Sequence, residues 1–299
     1  MPPPTTFTIQ QKRFKSFDGT SIGYQVIGRG KRDIVLCNGL GGSATAWEPL
    51  YERFGKDYRF ITWDYRGLFK SDPPQDPANM DVASHAKDLH FLLAKEKIKK
   101  ALIGGWSMGI QVGLEYYRLQ PKAFEALFLI NGTCGQPFRT VMNSPLSRYI
   151  LPVVNDLAKR LMPAVQPTLK PLANRVIDWE MFLKIVVNLG LVHENLHSKT
   201  FNKVAKEMVN TDLVYYHSIM EHLSQHDASD VLPSIKVPTL IIAGTNDIIT
   251  PVKVAERMAS LCPKAELFIV PHGTHYTLLE FSKEVNLRLA HFLEENYPH

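Results

Sequence analysis

A serine stands between two glycines at the point where a short apolar run gives way to a helical pattern. Residues 105–109 read Gly-Trp-Ser-Met-Gly, and residues 101–104 before them read Ala-Leu-Ile-Gly. Glycine on both sides permits a sharp strand-to-helix turn, in which the hydroxyl of Ser107 stands clear of the backbone. The first amides of the helix carry partial positive charge, which suits a developing oxyanion. The pattern is typical of a nucleophile elbow and predicts that Ser107 is a nucleophile.

Two further side chains are needed, because a neutral serine hydroxyl requires a base and that base requires an orienting acid. His275 is the predicted base, since it lies in a loop between the last strand and the last helix, within reach of the sheet edge. His272, three residues earlier, is assigned a structural or surface role. Asp247 is the predicted acid, because it follows a buried strand that ends at the same edge. The strand after the elbow ends instead in Asn131, which has no carboxylate.

An oxyanion hole requires two backbone donors beside the nucleophile. The residue after the serine, Met108, supplies one, and Leu40 in the early loop of residues 38–42 (Asn-Gly-Leu-Gly-Gly) is the natural second. Glycines in that loop let the backbone approach a substrate closely, so Gly39 and Trp106 are predicted to border it. The spacing of the glycines does not match the Gly-x-Gly-x-x-Gly pattern of dinucleotide binding.

Composition and charge narrow the class of protein. The chain has 299 residues, of which 45% are hydrophobic and 21% charged, as in ordinary globular proteins. Its formal charge of +5 is a mild excess, and the densest basic run, residues 95–100, is interpreted as a solvated helix end. No aromatic platform accompanies that run, so nucleic-acid binding is not predicted. The three cysteines, Cys37, Cys134 and Cys262, match no metal site, and neither a metal nor an organic cofactor is expected.

The chain shows neither an apolar segment typical of a signal peptide nor an uncharged run long enough to span a bilayer. The sequence therefore predicts a cytoplasmic protein without stable membrane insertion. It leaves the oligomeric state open.

Short apolar strands alternate with helical segments, which predicts an α/β fold with a mostly parallel central sheet and helices on both faces. The alternation stops near Gly135 and resumes at about residue 238. We therefore expect residues 1–135 to form the first part of the core, 136–231 an inserted helical lid, and 232–299 the second part. Two opening strands, 7–17 and 21–27, are joined by Asp-Gly, a favoured hairpin turn.

The predicted lid is rich in apolar residues and is expected to be broken at its prolines. The prolines are Pro145, Pro152, Pro163, Pro167 and Pro171. The apolar residues either pack the lid onto the core or line an apolar pocket above Ser107, and the sequence leaves both interpretations open. They are Leu151, Val153, Val154, Leu161, Met162, Phe182, Ile185, Val186, Val187, Leu189 and Leu191.

These motifs, taken in order, resemble the α/β-hydrolase family, in particular its serine esterases and lipases. The resemblance covers nearly the whole chain: residues 38–43, residues 64–72, the elbow, residues 244–247 and the Gly-x-His before the final helix. It implies a triad of Ser107, His275 and Asp247 and a lid between the sixth and seventh strands.

The chain also departs from the family pattern. Asn38 replaces the usual histidine of the early loop, and Leu68 and Phe69 replace small or polar residues. Asn38 is expected to use its amide locally, with little effect on the oxyanion donors. Asp64 ends a strand, but Arg66 follows closely and predicts a structural ion pair between the two.

The sequence thus predicts a serine hydrolase that cleaves a small-molecule carboxylic ester with an apolar acyl or alcohol part through an acyl-enzyme. The same residues would also serve hydrolysis of a carbon–carbon, amide or lactone bond, or acyl transfer. A third hypothesis, from another class, is a ligand receptor that keeps the fold without turnover.

Overall fold

The computed structural model describes residues 7–141, 144–179, 181–196 and 198–298. It has the expected α/β architecture, built on one sheet of eight strands in the order β1-β2-β4-β3-β5-β6-β7-β8. The strands are β1 Ile9–Lys15, β2 Ser21–Gly28, β3 Arg32–Cys37, β4 Tyr58–Trp63, β5 Ala101–Trp106, β6 Phe124–Ile130, β7 Thr239–Gly244 and β8 Ala265–Val270.

The sheet is antiparallel only at its first edge. Strands β1 and β2 form a hairpin, β2 is antiparallel to β4, and all later neighbours are parallel. Gly19 in the hairpin turn has a φ of +81°, which explains the Asp-Gly pair found there. Because the central strands are covered on both faces, their sequences are continuous apolar runs, and every residue of β5 and β7 is buried.

Helices cover both faces of the sheet. The core helices are α1 Glu48–Phe54, α2 Val82–Lys95, α3 Met108–Leu119, α8 Val252–Leu261, α9 Thr277–Glu280 and α10 Ser282–Asn296. Two apolar clusters result, one containing residues of α2, α3 and α8 and the other residues of α1 and α10. Successive residues of β3 alternate between them, as the pleat of a strand requires. The helical segment at the end of the chain is divided into α9 and α10 at Phe281, whose φ of −121° and ψ of 43° are not helical.

In the described part of the segment between β6 and β7, where the lid is expected, lie four α-helices. They are α4 Ser147–Asp178, α5 Met181–Asn188, α6 Ser198–Asn210 and α7 Leu213–Gln225. The expectation that prolines break this segment is wrong for α4, which continues through four of them. Pro163, Pro167 and Pro171 recur at four-residue intervals and are exposed, so the carbonyls that lose a partner lie on one side of the helix. Within the described residues, no helix is long and apolar enough to cross a bilayer.

Candidate active site

Ser107 lies in a strained turn between β5 and α3, with a φ of 54° and a ψ of −120°. The flanking glycines are needed for steric reasons. A Cβ on Gly105 would lie 2.7 Å from the carbonyl oxygen of Gly109, and one on Gly109 would lie 2.0 Å from that of Cys37. Any larger residue at these two positions would therefore clash with the backbone of helix α3 or of the neighbouring strand β3.

The structure brings the three predicted catalytic side chains into one hydrogen-bonded row. His275 Nε2 lies 2.9 Å from Ser107 Oγ, and His275 Nδ1 lies 2.9 Å from Asp247 Oδ2. Because an ionised carboxylate only accepts, Nδ1 carries the proton and Nε2 is left to accept from the serine hydroxyl. His272, in contrast, is exposed, and its backbone amide donates to Thr245 Oγ1.

Asp247 is buried and accepts several hydrogen bonds besides that of His275. The backbone amides of Ile249 and Thr250 each donate to Oδ1 at 2.8 Å, and the Thr250 hydroxyl donates to Oδ2 at 2.7 Å. Burial alone would raise the pKa of Asp247, but the His275 imidazole and the Thr250 hydrogen bonds outweigh it and hold that pKa below its usual value. Asp247 is therefore ionised at neutral pH and fixes the orientation of the imidazole.

Asn131 takes part in this network, a role that the sequence did not suggest. Its Nδ2 donates both to Asp247 Oδ2 at 3.0 Å and to the carbonyl of Thr274 at 3.1 Å. It thus connects the loop of the acid to the loop of His275. The sequence shows only that no carboxylate stands at the end of β6, and the amide there supplies donors instead.

Trp106 positions the loop of His275 from the opposite side. Its indole Nε1 donates to the backbone carbonyl of His275 at 3.0 Å, and its ring centroid lies 5.7 Å from that of Tyr276. A Cβ on Gly39 would lie 2.9 Å from the same indole, so glycine is required there for packing. Trp106 and Gly39 also border a cavity that opens above Ser107.

The backbone amides proposed for the oxyanion hole belong to Leu40 and Met108, which also border that cavity. Within the described residues, neither amide has a hydrogen-bond acceptor. Asn38 anchors the early loop through two hydrogen bonds of 2.8 Å. Its Nδ2 donates to the carbonyl of Trp63, and its Oδ1 accepts from Trp47 Nε1. The Asn38 amide thus connects the early loop to the end of β4 and to Trp47, rather than bonding only within its own loop.

The expected ion pair between Asp64 and Arg66 is not formed. Arg66 donates instead to both carboxylate oxygens of Asp88, at 2.6 and 2.7 Å, and to Asp18. Asp64 points away and accepts from the amide of Lys70 at 3.2 Å. Burial without a cationic partner in contact raises the pKa of Asp64 to about 7.

A cavity of roughly 180 Å³ opens above Ser107. Apart from the groups already described, its walls are largely apolar: Met208 from α6, Met220 and Leu223 from α7, Ile249, and the ring of Tyr216. No residue of the described parts of α4 and α5 lines it. The segment between β6 and β7 therefore contributes to the cavity through Pro137, α6 and α7, and the apolar residues named from the sequence do not line it.

A polar group in this cavity was also missed. Gln111, one turn after the nucleophile on α3, is buried and borders the cavity. Its Oε1 lies 2.6 Å from His226 Nδ1, and His226 Nε2 lies 3.1 Å from Glu115 Oε2. The side-chain amide is thus fixed by a second histidine. No spacing in the sequence distinguishes this histidine, because it lies 115 residues from Gln111.

Several curated proteins similar to this chain are named as hydrolases. It is 28% identical over 276 residues to the "Putative carbamate hydrolase RutD" of Stutzerimonas stutzeri, covering 91% of this chain and 96% of that protein. The protein of the same name from Yersinia enterocolitica is 26% identical, over 88% of this chain and 87% of its own length.

Solved structures show the same fold at lower identity. An esterase from Thermogutta terrifontis superposes with a TM-score of 0.75 at 20% identity, covering 96% of this chain and 99% of that one. An enol-lactonase from Burkholderia xenovorans LB400 superposes with a TM-score of 0.74 at 22% identity, covering 95% and 100%. The sequence model of the alpha/beta hydrolase family matches residues 34–287, and the chain therefore belongs to that family.

Proposed function

We propose that this hydrolase is a serine esterase that cleaves a small carboxylic ester with an apolar acyl or alcohol part. The observation that carries the proposal is the unbroken row of contacts from Ser107 Oγ through His275 to Asp247, with 2.9 Å at each step. Such a row is what an activated serine requires.

In the proposed mechanism, Ser107 Oγ bonds to the ester carbonyl carbon while His275 Nε2 takes the hydroxyl proton. Asp247 stabilises the resulting imidazolium, and the amides of Leu40 and Met108 donate to the carbonyl oxygen as it becomes negative. When the C–O bond to the alcohol breaks, His275 returns the proton to the departing oxygen. Water then attacks the acyl-enzyme, again with His275 as base, and releases the acid and Ser107.

The cavity supports a small apolar substrate. At roughly 180 Å³ it is smaller than typical ligand pockets of about 300–1,000 Å³, so a short acyl group fits better than a long chain. Met208 of α6 and Met220 of α7 line the cavity, and their flexible side chains can adapt to substrates of more than one shape. The helices α6 and α7 that carry these walls lie within the proposed lid, residues 136–231, between the two core segments 1–135 and 232–299.

A carbamate is the second candidate substrate, because the similar curated proteins bear that name. A carbamate presents an N–H or NH₂ group beside its carbonyl, and Gln111 is a fixed polar side chain at the cavity wall. The mostly apolar lining favours the ester, since an unpaired amide against methionines would lose its hydrogen bonds with water.

The proposal is tested with purified protein, p-nitrophenyl acetate, butyrate and octanoate, and an aryl carbamate. We expect turnover of the esters, fastest for the shorter chains, and loss of that turnover in Ser107→Ala with folding unchanged by circular dichroism. His275→Ala should behave like Ser107→Ala. The matched control is His272→Ala, which removes the exposed histidine three residues away and should retain activity.

Labelling by a fluorophosphonate distinguishes an enzyme from a receptor. The wild type should be labelled at Ser107, and steady ester turnover should accompany the labelling. Undiminished hydrolysis by pure Ser107→Ala would refute the proposal. Turnover of the carbamate in preference to every ester would assign the second substrate class to the same residues.

A further inference from the structure

The long helix α4, together with Leu146 directly before it, carries a row of exposed apolar side chains. Leu146, Ile150, Val153, Leu157 and Leu161 recur at intervals of four, three, four and four residues, which places them along one side of a helix. Each is 49–68% exposed. We call these five residues the apolar ridge. Five large aliphatic side chains in one row far exceed the scattered apolar exposure of ordinary surfaces.

The opposite side of α4, which packs on the protein, buries polar side chains as well as the apolar Ile177. Asn155 is 7% exposed and donates to the carbonyl of His217 on α7, while Gln166 is 8% exposed and donates to that of Thr211. A helix at a water-facing surface has a polar outer side, whereas the outer side of α4 is a row of large apolar residues. Burying amides against the protein while exposing leucines to water is unfavourable unless something apolar covers the outer side.

The apolar surface continues beyond the ridge towards α5. Leu172 is exposed on the second half of α4, Trp179 follows the end of α4, and Leu189 follows α5. A half-exposed tryptophan at the margin of an apolar surface is typical of a membrane interface, where its ring is apolar and its N–H is hydrated.

The charges of α4 indicate what covers it. The helix contains five cationic residues, Arg148, Lys159, Arg160, Lys170 and Arg175, against two acidic ones, Asp156 and Asp178. Arg160 pairs with Asp156 on the same helix at 2.9 Å, and Lys159 pairs with Glu221 of α7 at 2.8 Å. Arg148 and Arg175 are exposed and provide the cationic charge that faces outward. A cationic helix with an apolar side is attracted to anionic lipid headgroups. The same excess of charge disfavours a second copy of the chain, since a two-fold interface would oppose two cationic helices.

We propose that α4 lies on the surface of an anionic lipid bilayer, with the apolar ridge at the boundary between headgroups and acyl chains. The helix would lie along the bilayer rather than cross it. Helix α4 packs outside α6 and α7, whose Met208 and Met220 line the cavity above Ser107, so binding holds that cavity close to the bilayer. The lipid contact itself does not depend on the proposed esterase activity.

The experiment is flotation of the full chain with vesicles of phosphatidylcholine alone or mixed with phosphatidylserine. We expect binding to the mixed vesicles, weaker binding to phosphatidylcholine, and release as salt is raised. Replacing two ridge residues, as Val153→Gln with Leu157→Gln, should weaken binding by about tenfold or more. The matched control is Leu287→Gln on α10, which removes a leucine that is 70% exposed outside the ridge and should change nothing.

Three results would overturn the proposal: no flotation with either vesicle, equal flotation of the wild type and the ridge variant, or dependence on Leu287. A fourth contradicting result would come from light scattering after gel filtration. If the wild type is a dimer that the ridge substitutions dissociate, a second copy of the chain rather than a bilayer covers the apolar ridge. Turnover of a soluble short ester without vesicles is measured in parallel. This turnover should be the same in the wild type and the ridge variant. A failure of the lipid-binding proposal can therefore be distinguished from a failure of the proposed esterase function.

Discussion

Asp64 gives a prediction in which the sign and size of a stability change follow from one buried group. Its carboxyl is 6% exposed, accepts a hydrogen bond from the amide of Lys70 and has a pKa of about 7, against 3.8 for an ordinary aspartate. The folded state therefore keeps a proton that the unfolded chain has already lost. Between these two pKa values the free energy of unfolding falls as pH rises, and above about pH 7 it stays low.

The size of the change follows from the difference in pKa. A pKa about three pH units above that of the unfolded chain corresponds to at most about 4 kcal/mol, at about 1.4 kcal/mol per pH unit. Asp64→Asn removes the ionisation and keeps an oxygen that can accept from Lys70. The variant should therefore be more stable than the wild type by roughly 2–4 kcal/mol near pH 9, and close to it near pH 4.

Urea denaturation followed by tryptophan fluorescence, repeated across this pH range, measures the difference. The matched control is Asp72→Asn in the same segment, whose carboxylate is exposed and pairs with exposed Arg13 at 2.7 Å. Its effect should stay within about 1 kcal/mol. A gain from Asp64→Asn that is the same at both ends of the pH range would refute the reasoning, because a buried ionisation would then not be its cause.

Two further predictions concern the catalytic row. Asp247→Asn should lower kcat by about 10⁴-fold with the fold intact, since an amide no longer favours the productive tautomer of His275; steady-state kinetics with circular dichroism checks this, and a loss below about tenfold would contradict it. Trp106→Phe keeps a ring against Gly39 but loses the hydrogen bond to the His275 carbonyl, so kcat should fall about fivefold with KM nearly unchanged. A rise in KM at constant kcat would show that Trp106 binds substrate rather than positions the base.

The fold and the contacts among Ser107, His275 and Asp247 could be anticipated because both follow from local patterns. Parallel strands separated by helices place their carboxyl ends at one edge of a sheet, so residues that follow β5, β7 and β8 must lie near one another. The glycines around Ser107 could be interpreted in the same way, since their reason is a sharp turn. In each case the constraint lies within a few residues of the chain.

Contacts between distant segments were not predictable. Arg66 was expected to pair with nearby Asp64, but the backbone after β4 directs the two side chains apart, and its partners lie 22 and 48 residues away. In the sequence, Asn131 shows only that a carboxylate is absent from the end of β6. Its hydrogen bonds are made to two loops that come later in the chain. The segment between β6 and β7 shows the same limit: its apolar residues could be listed from the sequence, but not that Val153, Val154 and Leu161 are exposed.

The contact between Gly109 and the carbonyl of Cys37 has a consequence for how the substrate range can change. It joins the start of α3 to the end of β3, the elements from which the amides of Met108 and Leu40 extend. The spacing of these two donors is thus set where main chain packs directly on main chain. Met208 lies against Gly41 of the early loop, whereas Met220 and Leu223 are carried by α7. Exchanging Met220 or Leu223 would reshape what the cavity accepts while leaving the geometry for a negative oxygen intact. A library confined to these two positions should therefore yield altered preference far more often than lost activity.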